Sequence, residues 1–420
     1  RSRHRARESR TLTLERMAWL SFNTLFCAGA VVFAGWLVAA LPFQLRNSRR
    51  EQVAASVVVK DEAGLDFAPS DLNGDHIEQG LPKPGHTYFY SIGDFGVYGC
   101  QNAYERGDLE ENGGIGHKVC MGHEQEKVAE AMDRLAAFLH PQFVISLGDN
   151  FYVRGVTDME DQQFLESFEA IYDRGALADV PWKILLGDHD HRGNVTALLL
   201  HTNRSQRWRL PSLHYRFEVP LPDGSGRNLE VVMADSVCLE GGMEPDLVAK
   251  RRFQAEYSEA FVGVAAAQEH WRSLEENFKS TRPAIRIVAA HRPVVSMVNR
   301  SRTASEPQVE ERLHKMLVAA AADSPVLYMH GHDHAMQLWK DSEAQLTYIG
   351  NGAGGMGLHQ FLPQSHARAR GAEFKWGSNG AYGFAIHELG ADALNTYFVT
   401  GDAGRVLHAT SIPIPSAQLA

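Results

Sequence analysis

Cysteine is scarce in this chain. There are four in 420 residues, Cys27, Cys100, Cys120 and Cys238, and no two are spaced as CxxC. That excludes a thiolate zinc site of the finger or ribbon kind. Positive charge is also in deficit: 41 Lys and Arg stand against 51 Asp and Glu, a net charge of −10. Nucleic acid is therefore not expected as a partner. No internal repeat occurs, and no low-complexity tract follows the arginine-rich start. What remains is 44% hydrophobic, enough for the core of one large domain or two smaller ones.

The first 16 residues are basic, with Arg1, Arg3, Arg5, Arg7, Arg10 and Arg16. Met17 to Leu45 then carries no charge, and a bilayer span needs about 20 apolar residues. The arginine excess on the N-terminal side predicts a cytosolic tail over 1–16 and a signal anchor over 17–45. The anchor would make a single-pass type II membrane protein, its catalytic domain lumenal or extracellular. The alternative is a signal peptide cleaved near Val38-Ala39-Ala40 and a secreted product. The chain begins at Arg1 rather than Met, which leaves its true N-terminus open. Three sequons, at Asn194, Asn203 and Asn299, agree with a secretory lumen. In such a compartment Cys100 and Cys120, which flank a polar Gly-rich loop, are a candidate disulfide, leaving Cys238 unpaired.

Residues 46–85 read as a linker with a short strand at 53–59. From His86 the pattern alternates strands and helices, with helices expected over 127–139, 164–171, 266–278 and 309–322. This alternation predicts βαβ units and a parallel sheet. After His334 come strands at 346–349, 382–387 and 396–400 without intervening helices. They predict a second sheet, mixed or antiparallel. The fold class is α/β, a two-sheet α/β sandwich with outer helices over 86–412, followed by a tail at 413–420.

Six apolar runs stop at residues able to bind a metal. Run 88–92 precedes Asp94, 143–147 precedes Asp149, and 182–186 precedes Asp188 and His189. Run 229–234 stops at Asp235, 285–290 at His291, and 326–329 at His330-Gly331-His332-Asp333-His334. Buried strands do not need such endings. A shared site at the carboxyl edge of a sheet does. The mixture of carboxylate and imidazole suits Fe, Mn or Zn rather than Ca. The donors exceed what one open catalytic ion uses, so two ions with a bridging carboxylate are expected. Asp235 and His330 read as structural, and His191 and His201 as ordinary polar residues.

These endings resemble a known family. Asp94-Phe95-Gly96, Gly148-Asp149-Asn150-Phe151-Tyr152, Gly187-Asp188-His189-Asp190, Val288-Ala289-Ala290-His291 and Gly331-His332-Asp333-His334 resemble the five blocks of metallophosphoesterases, in the family's order. Tyr152 marks the purple acid phosphatases. Asp179-Val180-Pro181-Trp182 and Gly193-Asn194-Val195-Thr196 resemble the small tartrate-resistant type. The resemblance implies a calcineurin-like fold and an acid phosphatase acting on phosphomonoesters or phosphoproteins, with metal-bound hydroxide as nucleophile. It implies Fe(III) on Asp94, Tyr152 and His334, and a divalent ion (Fe, Zn or Mn) on Asp188, His291 and His332, bridged by Asp149. His189 would donate a proton to the leaving group, oriented by Asp190, with Asn150 beside the bridge.

The chain also departs from the family. Asp188 stands where the family has Asn, which removes one net positive charge from the centre. The expectation is retained metal binding with lower activity or a pH optimum shifted upward. Arg300 lies about where the tartrate-resistant enzymes carry another active-site histidine, and the usual disulfide partner of Cys238 is missing. Residues 241–263, with Lys250-Arg251-Arg252, occupy the place of the family's exposed regulatory loop. Two rival functions follow: a pseudo-phosphatase that binds metal or a phosphorylated partner with little turnover, and a redox-active di-iron protein. A phosphodiesterase is a third, which Tyr152 disfavours.

Overall fold

A computed structural model describes residues 82–97, 122–241, 257, 259–298 and 306–416. The basic tail, the apolar stretch, the linker strand at 53–59, Cys100, Cys120, Asn299, Arg300 and Lys250-Arg251-Arg252 lie outside the described residues. Among the described residues no helix is long and apolar enough to cross a membrane.

Fourteen described strands follow in chain order: β1 (Thr87–Ile92), β2 (Val144–Ser146), β3 (Trp182–Lys183), β4 (Trp208–Arg209), β5 (Tyr215–Pro220), β6 (Asn228–Met233), β7 (Ile285–Ala289) and β8 (Val326–His330), then β9 (Met336–Asp341), β10 (Leu346–Asn351), β11 (Ala372–Ser378), β12 (Gly383–Leu389), β13 (Ala393–Thr400) and β14 (Val406–Pro413). They build two seven-stranded sheets, ordered β14-β13-β12-β1-β2-β3-β4 and β11-β9-β10-β8-β7-β6-β5. Strands β1 to β4 run parallel, as do β6, β7, β8 and β10. Antiparallel strands extend the edges of both sheets.

This corrects the division expected from the sequence. The parallel strands do not share one sheet, and the late strands do not form another. Strands β9 to β11 complete the second sheet and β12 to β14 the first. Strands joined without helices extend an existing edge by hairpin pairing, and nothing local says which edge. The C-terminal boundary also moves. Pro413 closes β14, and buried Ile414 donates its N–H to Asp392 O, so the fold runs past residue 412.

Alternation along the strands sorts three layers of core. Phe89, Ile145, Met233, Ile287, Ala289, Leu327 and Met329 pack between the sheets. Tyr90, Ile92 and Val144 face outward against helix α1 (Gly122–Leu139) through Val128, Met132, Leu135 and Leu139. Those positions recur at helical spacing, and α1 ends before Pro141, which disfavours helix in the residue preceding it. On the other face, Val232, Val288 and Tyr328 pack against helices α2 (Val264–Ser280) and α3 (Glu306–Ala321). Each fully buried large apolar side chain of this kind contributes roughly 1.5–3 kcal/mol. Burial on both sides locks the strands, and their carboxyl ends converge from the two sheets on one place.

Candidate metal centre

The turns after β1, β2 and β3 deliver the oxygen donors, and those after β7 and β8 deliver the imidazoles. Three of these residues have backbones rarely adopted by side-chain-bearing residues: Asp94 at φ 58°, Asp149 at φ 52° and His332 at φ 65°. Left-handed conformation at non-glycine residues costs energy, and here it turns each donor back over the strand end. Gly148, at φ 90°, supplies the same turn where a side chain is excluded, since a Cβ would lie 2.6 Å from His291 Nδ1.

Six acids and imidazoles form two sets that share Asp149, and the Tyr152 phenol joins one of them as a seventh donor. In the first, Tyr152 Oη lies 3.0 Å from Asp94 Oδ1, 3.0 Å from Asp149 Oδ2 and 3.2 Å from His334 Nε2. His334 Nε2 is 3.3 Å from Asp94 Oδ1. In the second, Asp188 Oδ1 is 2.9 Å from His332 Nδ1 and 3.2 Å from His291 Nε2, and those two nitrogens are 3.0 Å apart. His291 Nε2 is 3.3 Å from Asp149 Oδ1. Asp149 thus turns one oxygen to each set.

These spacings fit metal ions. Neighbouring donors on one octahedral ion, each at about 2.1 Å, stand about 3.0 Å apart. The residues behind the donors fix them further. His291 Nδ1 donates to Leu147 O at 2.8 Å, and His334 Nδ1 to Gly357 O at 2.6 Å, so Nε2 of each faces the centre. Asp94 Oδ2 accepts the His332 N–H at 2.7 Å, which leaves Oδ1 for the first set.

Charge inside the centre is strongly coupled. Burial alone would raise the Asp188 carboxyl, but His332, His291 and Arg292 outweigh it and hold it well below the usual carboxylate range. Asp149 is lowered in the same way, chiefly by His291 against its own burial. Burial opposes protonation of His291, yet Asp149 and Asp188 carry its pKa well above the ordinary value. The Tyr152 phenol is pushed up by burial and by Asp149 and Asp94.

His189 lies on the open side of the centre, its Nε2 4.0 Å from Asp149 Oδ2 and its side chain 16% exposed. Its Nδ1 is 2.5 Å from Val153 O, and its ring packs 4.5 Å from that of Tyr152. Asp190 does not orient it, contrary to expectation. Four donors bond the Asp190 carboxylate: the N–H groups of Asn150, Phe151 and Gly187 and Asn150 Nδ2, the Asn150 N–H shared between both oxygens. It ties the Asp149 turn to the Asp188 turn, and burial and Asp149 push its pKa up to about 7. Asn150 belongs to the same brace through Ser146 and Leu185.

Asp235 is structural. It pairs with His191 at 2.6 Å, both fully buried, and accepts the Cys238 N–H at 2.8 Å. His330 is buried at the end of β8. His201 stacks on Phe164 and faces Glu169. Cys238 is a buried free thiol. Asn194 and Asn203 are exposed. Asn194 caps the short helix Val195–His201 through the Ala197 N–H and donates Nδ2 to Thr157 O. Two neighbours of the centre escaped the sequence reading. Arg192 bonds Asp188 at 3.3 Å, and His359 stacks on His334 with rings 4.0 Å apart. Neither follows a strand, so neither carried a positional signal.

Comparison with known proteins agrees with this geometry. Residues 86–336 match the calcineurin-like phosphoesterase family. The chain is 31% identical to the tartrate-resistant acid phosphatase type 5 of Rattus norvegicus over 294 residues, covering 69% of this chain and 85% of that one. It is 27% identical to purple acid phosphatase 4 of Arabidopsis thaliana, over 66% of this chain and 70% of that one. The fold is similar to that of GAP50, the anchor in the inner membrane complex of Plasmodium, with TM-score 0.58, 19% identity and coverage of 79% and 90%. It is also similar to purple acid phosphatase PPD1 from yellow lupin seeds, with TM-score 0.51, 14% identity and coverage of 81% and 58%. The chain belongs to the calcineurin-like phosphoesterases, within the purple acid phosphatase group that includes the tartrate-resistant enzymes.

Proposed function

We propose that this chain hydrolyses phosphomonoesters, free or on proteins, at a centre of two metal ions. The observation that carries this reading is the pair of donor sets joined by the two oxygens of Asp149. Asp94, Tyr152 and His334 would hold one ion, and Asp188, His291 and His332 the other. Such a pair clamps a phosphoryl group and lowers the pKa of a bound water. The chain's own residues supply the rest. With Nδ1 directed at Val153 O, His189 keeps Nε2 as the nitrogen that meets the leaving-group oxygen and moves its proton. The backbone N–H of His189 donates to Asp149 Oδ1 at 3.0 Å and holds the bridging carboxylate in register.

The ions proposed are Fe(III) with Asp94, Tyr152 and His334, and divalent Fe, Zn or Mn with Asp188, His291 and His332. Tyr152 Oη beside the carboxylates of Asp94 and Asp149, each at 3.0 Å, makes an oxygen-rich set that supports a hard trivalent ion there. The arginine-rich start, the uncharged stretch from Met17 to Leu45 and the sequons at exposed Asn194 and Asn203 support a type II anchor with the catalytic domain lumenal or extracellular. Resistance of the membrane-bound protein to alkaline carbonate, with a mobility shift on glycosidase treatment, tests that placement. Full extraction with no shift contradicts it.

Activity is tested on purified protein loaded with iron and then zinc or manganese, using a chromogenic phosphomonoester. Turnover that ceases on chelation and falls steeply on His189→Gln is expected. A folded protein that binds both ions and phosphate without turnover would instead establish the pseudo-phosphatase. A peroxide-dependent signal that persists under saturating phosphate would establish the redox alternative.

A further inference from the structure

The chain that leaves β10 crosses the Tyr152 half-site without supplying a donor to either set. It first lies flush on the turn that carries Asp94. The Gly354 N–H donates to Gly93 O at 3.0 Å, and the Met356 N–H to Asp94 O at 2.9 Å. A Cβ on Gly352 would lie 2.6 Å from Asp94 Oδ2, so only glycine permits this approach. The same segment then closes on His334. His334 Nδ1 donates to Gly357 O at 2.6 Å, and the His359 N–H donates to His334 O at 2.9 Å. The His334 N–H donates in return to His359 Nδ1 at 3.1 Å. The His359 ring covers that of His334, with centroids 4.0 Å and planes 9° apart. Because His359 Nδ1 accepts, the proton of its neutral ring sits on Nε2. His334 is thus held by its backbone N–H, its carbonyl, its Nδ1 and one face of its ring.

We infer that His359 is a positioning residue for the Tyr152 half-site, holding the His334 ring in the plane that directs Nε2 toward Asp94 and Tyr152. This deepens the two-metal reading above and rests on it. Gly357 O decides which nitrogen of His334 faces the centre, and the stacked ring opposes rotation about that bond. A partner that orients a ligand in this way typically costs about 10–100-fold in metal affinity when it is removed. The contacts run to a ligand of the first set, so the effect falls on the first ion, and the second serves as the internal control. His359 is itself half-buried, and replacing it leaves the core intact.

The test uses the full chain loaded with iron and zinc, and compares wild type with His359→Ala, His359→Phe and His359→Asn. His359→Phe keeps a ring over His334 and removes the acceptor. His359→Asn keeps an acceptor and removes the ring. Iron and zinc retained under a graded chelator, and the position of the tyrosinate-to-iron band, are measured. His359→Ala should release iron at roughly tenfold lower chelator concentration, shift the band, and hold zinc to within about threefold of wild type. The two partial variants should fall between His359→Ala and wild type. Equal loosening of iron and zinc, or an unmoved band with unchanged iron retention, overturns the inference. If His359→Ala does not fold, the partial variants decide: a shifted band with selective iron loss upholds the inference, and wild-type behaviour in both overturns it. A wild type without two ions and without the band overturns the two-metal reading, and this inference with it. A normal wild type beside an indifferent His359→Ala overturns this inference alone.

Discussion

The half-site of Asp94, Tyr152 and His334 and the half-site of Asp188, His291 and His332 share Asp149, yet they are balanced differently. In the first, a backbone amide steadies the carboxylate, and a phenol stands beside it. In the second, an arginine steadies the carboxylate, and two imidazoles stand beside it. An amide fixes geometry and leaves the negative charge in place. A guanidinium fixes geometry and also sets a positive charge beside the carboxylate. Apart from the shared Asp149, the first set carries two negative charges once Tyr152 ionises, on Asp94 and Tyr152, and the second carries one, on Asp188. That asymmetry suits one ion of higher charge and one of lower, and it gives the proposed Fe(III) and divalent pair a physical basis.

The strongest way to break the comparison is to remove what the halves share. Asp149→Asn should abolish retention of both ions and lower activity by about a thousandfold or more, since each oxygen serves one half. Metal analysis showing two ions still bound would refute the bridge. His189→Gln should lower kcat by about a hundredfold or more with both ions retained, because the ring lies outside both donor sets. Its loss should be smallest for substrates whose leaving groups are weakly basic, as leaving-group protonation requires. An equal loss across leaving groups would remove the proton-donor role.

A smaller effect sharpens the contrast from the other side. Asp190→Asn leaves every donor in place but weakens the brace from the Asp149 turn to the Asp188 turn. It should lower the melting temperature and loosen both ions modestly rather than one selectively. Selective loss of one ion would show that the brace belongs to a single half.

The smallest effect lies away from the centre. Glu169 is pulled to about 2, against the cost of its burial, by His201, Ser205 and Arg207. Its folded pKa lies below the unfolded value, so its contribution is complete above about pH 4.5 and is lost as pH falls toward about 2. Glu169→Gln should thus destabilise the protein at pH 5 to 7, with the difference from wild type closing as pH falls toward about 2. A difference that grows on acidification would contradict that sign.

Much of the site was legible because parallel strands impose a simple rule. A run buried on both faces has no reason to end on an acid or imidazole, and Asp94, Asp149, Asp188, His291 and the His332–His334 pair do follow such runs. Tyr152 was legible only through its spacing from Asp149. The role of Asp190 was not, because its partners Gly187, Asn150 and Phe151 are backbone groups brought together by the fold. Arg192 was hidden for a different reason: in sequence, a charged residue after a short helix looks like ordinary surface. The two-sheet class came from the alternation of strands and helices. The allocation of strands did not, since the choice of edge for β9 and β12 is a long-range pairing. Strands β4, β5, β9, β11 and β14 were not identified from the sequence. β5 does alternate, with Tyr215, Phe217 and Val219 turned inward and Arg216, Glu218 and Pro220 exposed, a period-2 signal that the sequence carried.

The central claim is that two unlike ions sit on either side of Asp149, with Tyr152 bound to the more highly charged one. The visible spectrum of the purified protein, recorded with metal analysis, tests it most directly. The account predicts two metal ions per chain and a tyrosinate-to-iron absorption band that Tyr152→Phe abolishes. A colourless, metal-free and well-folded protein would contradict it.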